Sequence, residues 1–240
     1  MGTPQRDDST GTWADDHGNV YISGFTNGSL DGTSAGDSDA FISKYDSAGV
    51  PLWTRQLGTS AVDYAMGVAA DTLGNVYLSG LTAGDLAGAN IGSFDAFISK
   101  YDEAGSLAWT RQFGSTLFDW ATGVATDGNG NVFVSGYTAG NLAGNNLGRN
   151  SYDAFIIKYD AEGTVLWRQQ LGTRDFDLAN GVALDKQGNI YLSGVTTGRL
   201  GEANVGREDA FLIKYVEAPE PGAFALVLLG SVPQLLRRRF

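Results

Sequence analysis

Short apolar runs separated by turn-forming residues make up most of this chain. Residues 67–122 contain four such runs, at residues 67–71, 75–82, 95–101 and 106–112. An Asp followed three residues later by a Gly, as in a hairpin turn, separates the first run from the second and the third from the fourth. A longer Gly-rich connection, residues 83–94, joins the second run to the third. No stretch before residue 217 keeps a helical period, so the pattern predicts four antiparallel strands per unit.

The same unit recurs four times along the chain. Its copies begin at Gly11, Gly67, Gly123 and Gly181. The repeat length is 56–58 residues, and the two extra residues of the third copy lie between Thr138 and Asp153, which marks a loop. Four-stranded units at this spacing are typical of β-propeller blades, whereas linear β-solenoids usually have shorter repeats. We therefore predict an all-β fold over residues 1–216, a β-propeller of about four four-stranded blades.

The predicted propeller is incomplete at both ends. The last copy has three predicted strands, the third ending near Tyr215. Residues 1–10 match residues 57–66, the segment that follows a fourth strand. Propellers commonly close by taking one strand of the last blade from the opposite terminus, which leaves no open edge. We therefore expect the closing strand, and with it an export signal, upstream of Met1.

Residues 217–240 differ in composition from the repeats. They contain Pro219, Glu220 and Pro221, then an apolar run at residues 222–236, then Arg237, Arg238 and Arg239. The run is shorter than the roughly 20 residues of a bilayer span, and Pro233 interrupts it. The pattern predicts a short apolar, helical tail that contacts a membrane, with its arginines on the cytoplasmic side.

Two resemblances to known families follow from these motifs. The repeated text DxxGNVYxSGxT followed by DAFxxKYDxxGxxxW resembles the SBBP family of bacterial β-propeller repeats, across residues 1–215. This resemblance implies the propeller fold and an envelope or extracellular setting, but no single activity. The order of the PEP motif, apolar segment and basic cluster resembles the PEP-CTERM sorting signal. That resemblance implies export, membrane retention, processing by an exosortase-type enzyme near the PEP motif, and release or attachment at the surface of exopolysaccharide-producing bacteria. An ordinary hydrophobic anchor is the alternative.

Charge and composition disfavour one class of partner and exclude two kinds of site. The formal net charge is −11 and the isoelectric point is about 4.4, which disfavours nucleic acid as a partner. The chain has no Cys and one His, so it offers neither a thiol nucleophile nor a His-based metal site. His17 stands in a predicted turn, where the other copies have Leu73, Asn129 and Gln187. It is therefore interpreted as a solvated turn residue.

The most suggestive polar set is one Asp per repeat, four residues before the first predicted strand: Asp7, Asp63, Asp119 and Asp177. First strands line the channel of a propeller, so this set is a candidate carboxylate ring for Ca²⁺ or another hard cation. The alternative is capping of nearby backbone N–H groups. The Asp and Lys of each predicted third strand are interpreted as structural, through strand-entry hydrogen bonds or ion pairs. Trp53, Trp109 and Trp167 are interpreted as packing between blades rather than as sugar-stacking platforms.

These observations predict a non-catalytic, exported β-propeller that acts as a structural or binding module at the cell surface or in an exopolysaccharide matrix. Expected partners are an exosortase-type enzyme, exopolysaccharide or surface proteins, and a membrane through the tail. No catalytic or cofactor-binding residue is predicted. The alternative is an enzyme, or a fragment of one, that acts on polysaccharide or peptide with carboxylates around the channel. Because catalysis needs unlike groups in unlike roles, the repetition of the polar positions favours the binding module.

Overall fold

The computed structural model describes residues 2–32, 34–148, 151–201, 205–217 and 224–231, and the regular elements of this part of the chain are all β-strands. They form four sheets, blades 1 to 4, each an antiparallel meander in chain order. Blade 1 contains β1 (Asp7–Ala14), β2 (Val20–Thr26), β3 (Asp39–Tyr45) and β4 (Pro51–Leu57). Blade 2 contains β5 (Asp63–Ala70), β6 (Val76–Thr82), β7 (Asp95–Tyr101) and β8 (Leu107–Phe113). Blade 3 contains β9 (Asp119–Thr126), β10 (Val132–Thr138), β11 (Asp153–Tyr159) and β12 (Val165–Leu171). Blade 4 contains β13 (Asp177–Leu184), β14 (Ile190–Thr196), β15 (Asp209–Glu217) and β16 (Phe224–Ser231).

The tight turns form where the sequence predicted them, because their Asp side chains satisfy the turn backbone. In blade 2 one carboxylate oxygen of Asp71 accepts the N–H groups of Leu73 and Asn75, both at 2.9 Å. The other oxygen accepts the Asn75 side-chain amide at 2.8 Å. Gly74 takes a φ of 82°, which a side chain would strain. Each Asp-to-Gly turn is therefore stabilised by groups within its own few residues.

The first strand of each blade begins earlier than predicted. β5 opens at Asp63, four residues before the expected start at Gly67. A β-bulge between Ala65 and Gly67 shifts the register, so the alternation of apolar and polar residues is broken at this point. Blades 1, 3 and 4 carry an equivalent bulge. The four predicted channel aspartates consequently lie in strands rather than in loops.

Neighbouring blades pack face to face. The first strand of each blade packs on the first three strands of the blade before it. We call the face that the next blade covers the front face and the opposite one the rear face. Buried apolar clusters fill the three junctions, for example Tyr21, Ala40 and Ile42 of blade 1 against Val76 and other residues of blade 2. The Trp53 ring stacks on a Tyr of blade 2, and its indole N–H donates to the Glu103 carbonyl at 3.0 Å. This agrees with the interpretation of the repeated tryptophans as packing residues.

Glycines let the first strands approach one another along the central line. A Cβ on Gly67 would stand 3.4 Å from the Cα of Gly123, and a Cβ on Gly123 would stand 3.1 Å from the Cα of Gly181. The Thr122 hydroxyl donates to the Ala179 carbonyl of the next first strand at 2.7 Å. Side chains larger than hydrogen at these positions would push neighbouring blades apart.

Part of the predicted tail is a strand. Phe224–Ser231 forms β16, which pairs antiparallel with β15 and completes a four-stranded blade 4. This corrects the expectation of a helical tail and of a last blade with three strands. Without β16, one edge of β15 would leave its backbone N–H and C=O groups unpaired. The apolar segment that follows β15 in sequence pairs with these groups. No helix in the described part of the chain is long and apolar enough for a membrane crossing. The sorting-signal residues Pro219, Glu220, Pro221, Arg237, Arg238 and Arg239 lie outside the described residues.

Candidate functional site

The two edges of the blades differ in chemistry. The turn edge carries the tight Asp-to-Gly turns. The loop edge carries the connections from second to third strands and the links between blades, residues 58–62, 114–118 and 172–176. The predicted cation ligands and an unpredicted cluster of aromatic side chains both lie at the loop edge.

The predicted channel aspartates bind groups of their own links. Asp119 is buried, and one of its oxygens accepts the Ser115 N–H at 2.6 Å and the Ser115 hydroxyl at 2.9 Å. Asp63 has the same contacts with Thr59, at 2.6 and 2.9 Å. Asp7 and Asp177 accept from the threonines at equivalent positions. These contacts match the capping alternative, and within the described residues no group of three His, Cys, Asp or Glu side chains lies close enough to hold a metal ion. The Ca²⁺ ring stays a prediction.

Buried carboxylates also face each other across the junctions. Burial raises the pKa of Asp119, the hydrogen bonds from Thr138 and Ser115 oppose this, and the neighbouring Asp95 carboxylate adds to it. Burial likewise raises the pKa of Asp63, with a further contribution from the Asp39 carboxylate of blade 1. Asp95 accepts the Gln112 side-chain amide of its own blade at 3.0 Å, a strand-entry bond of the kind predicted. The carboxylates therefore fix their own links and strands by hydrogen bonds, whereas across a junction they meet as like charges.

The third-strand lysines contact aromatic rings. Their ammonium groups lie 5.2–5.6 Å from the centroids of second-strand rings; the pairs are Lys44 with Tyr21, Lys100 with Tyr77, Lys158 with Phe133, and Lys214 with Tyr191. Lys100 also donates to the Ala161 carbonyl of the next blade at 3.1 Å. A cation over a ring face is stabilised by the ring quadrupole. The lysines therefore pack on rings, and Lys100 also binds a carbonyl of the next blade, contacts that differ from the strand-entry hydrogen bonds or ion pairs expected.

The cavities at the turn edge are lined by turn-forming groups. One of about 440 Å³ lies between blades 3 and 4 and includes Asp127, Lys158 and Asp185. One of about 250 Å³ lies between blades 1 and 2 and includes His17. The Asn189 side-chain amide and backbone N–H lower the pKa of Asp185 to about 2, because both donate to its carboxylate. Since these carboxylates already bind their own turns, the turn edge offers few free polar groups to a ligand.

An aromatic array crosses the loop edge of blades 2, 3 and 4. Successive ring centroids are 5.3–6.5 Å apart, in stacked, tilted and edge-on contacts. Its members, in order of contact, are Phe118, Phe94, Trp120, Tyr137, Tyr152 and Phe176. The two end rings are exposed, Phe118 at 37% and Phe176 at 43%, and the inner rings are half-buried. Aromatic side chains that remain accessible in a row are a contact surface rather than a core.

The array is only partly shared between the copies of the repeat. Phe118 and Phe176 occupy one repeat position and Phe94 and Tyr152 another, whereas Trp120 has no equivalent Trp. The position of Trp120 is occupied by Asp8, Tyr64 and Leu178 in the other blades. Ser38 and Val62 form the same backbone bridge at the first junction that Phe94 and Phe118 form at the second. Trp120 lies half-buried in β9. Apolar or aromatic residues at link positions that the other copies fill with smaller or charged ones were the available signal.

A groove of about 560 Å³ adjoins the array. It lies between the loops of blades 2 and 3, and its lining includes the exposed apolar side chains Ile91 and Leu117. The polar lining residues are Ser115, Thr116, Asn141 and Asn146, and no lining residue carries a charge. The Ser115 hydroxyl accepts the Leu117 N–H at 3.2 Å while donating to a buried carboxylate, which fixes the wall of the groove next to Phe118 in sequence. The groove is therefore uncharged, and polar and apolar groups contribute to its lining in similar measure.

Three segments match the model of the SBBP family, described as Beta-propeller repeat, at residues 52–87, 108–143 and 166–201. Each segment begins in the fourth strand of one blade and ends after the second strand of the next, so it spans a junction. These matches confirm the repeat type. Blades of this repeat, packed in chain order, agree with the predicted propeller architecture.

Two curated proteins resemble part of the chain. Regulatory protein FlaEY of Caulobacter vibrioides is 28% identical over 191 residues, which cover 70% of this chain and 20% of that protein. An uncharacterised WD repeat-containing protein of Acanthamoeba polyphaga mimivirus is 27% identical over 172 residues, which cover 58% of this chain and 12% of that protein. The chain thus spans a fifth or less of the length of these relatives. A solved protein of unknown function from Bacteroides caccae aligns over 94% of this chain and 61% of its own, with a TM-score of 0.50 and 10% identity. At that identity the likeness concerns the fold alone.

Proposed function

We propose that this chain is a non-catalytic, exported binding module that uses the aromatic array and the adjoining groove to bind neutral polysaccharide, at the cell surface or in an exopolysaccharide matrix. The observation that carries the proposal is the continuous row of six aromatic rings along the loop edge, from the loop of blade 2 to the link before blade 4. Residues that only hold blades together recur in the repeats. Residues that differ between the copies, such as Trp120, are therefore candidates for contact with another molecule.

The chemistry of the site fits sugar rings. A pyranose offers a C–H face that packs on an aromatic ring and a rim of hydroxyls that bind neutral hydrogen-bonding groups. The array supplies accessible rings, including Phe118 and Phe176, and the groove supplies hydroxyl and amide groups such as those of Thr116 and Asn141. Ligand sites are commonly built in this way, from an apolar lining with a few placed polar groups.

Charge selects among polysaccharides. The chain carries a formal net charge of −11, which repels uronate- or sulfate-rich chains at moderate ionic strength. The groove lining has no Lys or Arg to offset this. Neutral glycans are therefore the favoured class.

The C-terminal segment supports the proposed export and surface location. A PEP motif, an apolar run and Arg237, Arg238 and Arg239 are the parts of a sorting signal that an exosortase-type enzyme processes after export. Mass spectrometry of the protein recovered from the producing cells tests this part separately. Loss of the segment from Pro219 onward is expected, which also removes β16 and leaves blade 4 with three strands, and an intact C-terminus on cytoplasmic protein contradicts it.

Calorimetric titration with soluble neutral polysaccharides, for example dextran, galactomannan and a β-glucan, tests the binding site. We expect one or more of them to bind, and Phe118→Ala and Trp120→Ala to weaken binding about tenfold each, a loss of about 1.4 kcal/mol. Trp13→Ala is the matched control, because Trp13 is exposed to a similar degree (39%) but lies near the turn-edge end of β1. Equal affinity of all three variants, or no binding by the unmodified protein, contradicts the proposal.

A further inference from the structure

The two outer faces of the four-blade stack are built like the faces that are buried at the junctions. Ser193 and Ala210, on the front face of blade 4, are exposed. The residues at the same positions in blades 1 to 3 are fully buried under the next blade; they are Ser23, Ser79 and Ser135, and Ala40, Ala96 and Ala154. The front face of blade 4 thus has the surface of a blade that another blade covers.

The first-strand glycines along the central line show the same difference between blade 4 and the other blades. Gly11, Gly67 and Gly123 each approach the backbone of the next first strand so closely that a Cβ would stand 3.1–3.4 Å from its Cα. Among the described residues, a Cβ on Gly181 would meet only Ser193 Oγ, at 3.8 Å. Asn180 follows the same pattern, because it is exposed where Thr122 donates to the next blade. Blade 4 therefore leaves open the site that a further first strand fills at each inner junction.

The rear face of blade 1 offers the complementary surface. Thr12 and Ala14 are exposed, and Val20 and Ile22 are half-buried. Their counterparts in blade 2 are nine-tenths or more buried against blade 1; they are Val68, Ala70, Val76 and Leu78. The turn of blade 1 is equally uncovered, since nothing lies within 4 Å of a Cβ on Gly49, whereas the same atom on Gly105 would meet the Trp53 ring.

We infer that the front face of blade 4 docks on the rear face of blade 1 in a second copy of this chain, head to tail. The two faces are equivalents of faces that already bind each other three times within the chain, so the chain carries both halves of one interface. In this contact Lys214 takes the place of Lys100 and donates to the Ser47 carbonyl, the counterpart of the carbonyl of Ala161. Two copies joined at both ends give a closed ring of eight blades, which is within the usual range of four to eight.

The contact between copies is weaker than the inner junctions. At the inner junctions Trp109 donates to the Ala161 carbonyl at 3.0 Å, and Arg111 donates to the Gly163 carbonyl at 2.9 Å. The described β16, which takes the place of the strand that carries them, contains neither Trp nor Arg. The association therefore rests on first and second strands and varies with protein concentration.

Light scattering on a size-exclusion column, over a range of concentrations of the full chain, tests the inference. We expect a mass that rises to twice the 25.3 kDa of one copy and no higher. A single-copy mass at every concentration overturns the inference, and so does growth past two copies, which indicates an open filament instead of a ring.

Two variants test the orientation. Gly181→Trp blocks the front face, and Ile22→Arg places a charge on the rear face. Each alone is expected to show the single-copy mass, whereas an equal mixture recovers the double mass, because each variant keeps the face that the other lost. If Ile22→Arg alone still pairs, or if the mixture does not, head-to-tail docking is wrong. Gly88→Trp is the control, since a Cβ there meets nothing within 4 Å and lies in a loop away from both faces, and circular dichroism verifies that every variant is folded.

Discussion

The close approach of first strands makes Gly123 one of the most informative positions to change. In Gly123→Ala, the new Cβ would stand 2.8 Å from Ser135 Oγ, 3.1 Å from the Gly181 Cα and 3.3 Å from the Val182 N. The Ser135 hydroxyl can rotate away, but the other two atoms belong to the backbone of the next blade. Relief therefore requires the first strand of blade 4 to move, at the cost of an overpacked core, about 1–3 kcal/mol.

The matched variant is Gly181→Ala, which makes the same chemical change at the equivalent position of blade 4. Its Cβ meets only Ser193 Oγ, at 3.8 Å, so we expect a change between zero and a stabilisation of about 0.5–1 kcal/mol from the stiffer unfolded chain. For a chain of this size 1 kcal/mol shifts the melting temperature by about 2–4 °C. Gly123→Ala is therefore expected to melt about 2–12 °C lower than the unmodified protein, and Gly181→Ala at the same temperature or slightly higher.

Differential scanning calorimetry measures the two shifts, at a concentration where light scattering gives the mass of one copy. Under that condition the melting temperature depends on the junctions inside the chain alone. Equal shifts in the two variants would refute the reasoning, because they would show that Gly123 is no closer to a neighbouring backbone than Gly181 is.

Two further predictions concern buried polar groups. Trp109→Phe is expected to lower the free energy of unfolding by about 1 kcal/mol in urea titration, since it removes the donor to the Ala161 carbonyl, whereas Trp120→Phe is expected to leave it unchanged or raise it. The reason is that the buried indole N–H of Trp120 has no acceptor in the described part of the chain, and a comparable loss in both variants would contradict this. Asp119→Asn is expected to reduce the fall in melting temperature that accompanies a rise in pH above 3.8. Because burial raises the pKa of Asp119 above its usual 3.8, the stability tied to its proton is fully present below that value and is lost as the pH rises through the raised pKa. An unchanged pH profile would show that this carboxyl does not contribute, and Asp16→Asn, an exposed turn residue, is the control.

Local chemistry explains what the sequence could predict. The turn from Asp71 to Gly74 and the strand Asp95–Tyr101 are decided by residues that are close in sequence, and both form where expected. The bulge at Ala65 was hidden, since it breaks the alternation by which a strand is recognised. β16 was missed because pairing to the edge of β15 is a tertiary choice that overrides the pattern of an apolar tail.

The aromatic array could not be predicted from the sequence of one repeat. Its rings come from links and strand ends that are distant in sequence, such as Phe118 and Tyr152, and blade packing alone brings them together. The alignment of the repeats directs attention to what the copies share. Function at such a surface depends on the residues in which they differ.

The meander order of the strands has a consequence for how the protein loses its structure. Each strand pairs only with strands adjacent in the chain, and each blade packs extensively only on its sequence neighbours in the described part. Such a molecule behaves as a one-dimensional array, in which stability is a sum of units and nearest-neighbour couplings. Blades 1 and 4 each have one coupling and blades 2 and 3 have two, so unravelling starts at the termini and moves inward. The rings of blades 2 and 3 are therefore expected to stay together longest, whereas Phe176, in the link to blade 4, separates from Tyr152 when that terminal blade opens.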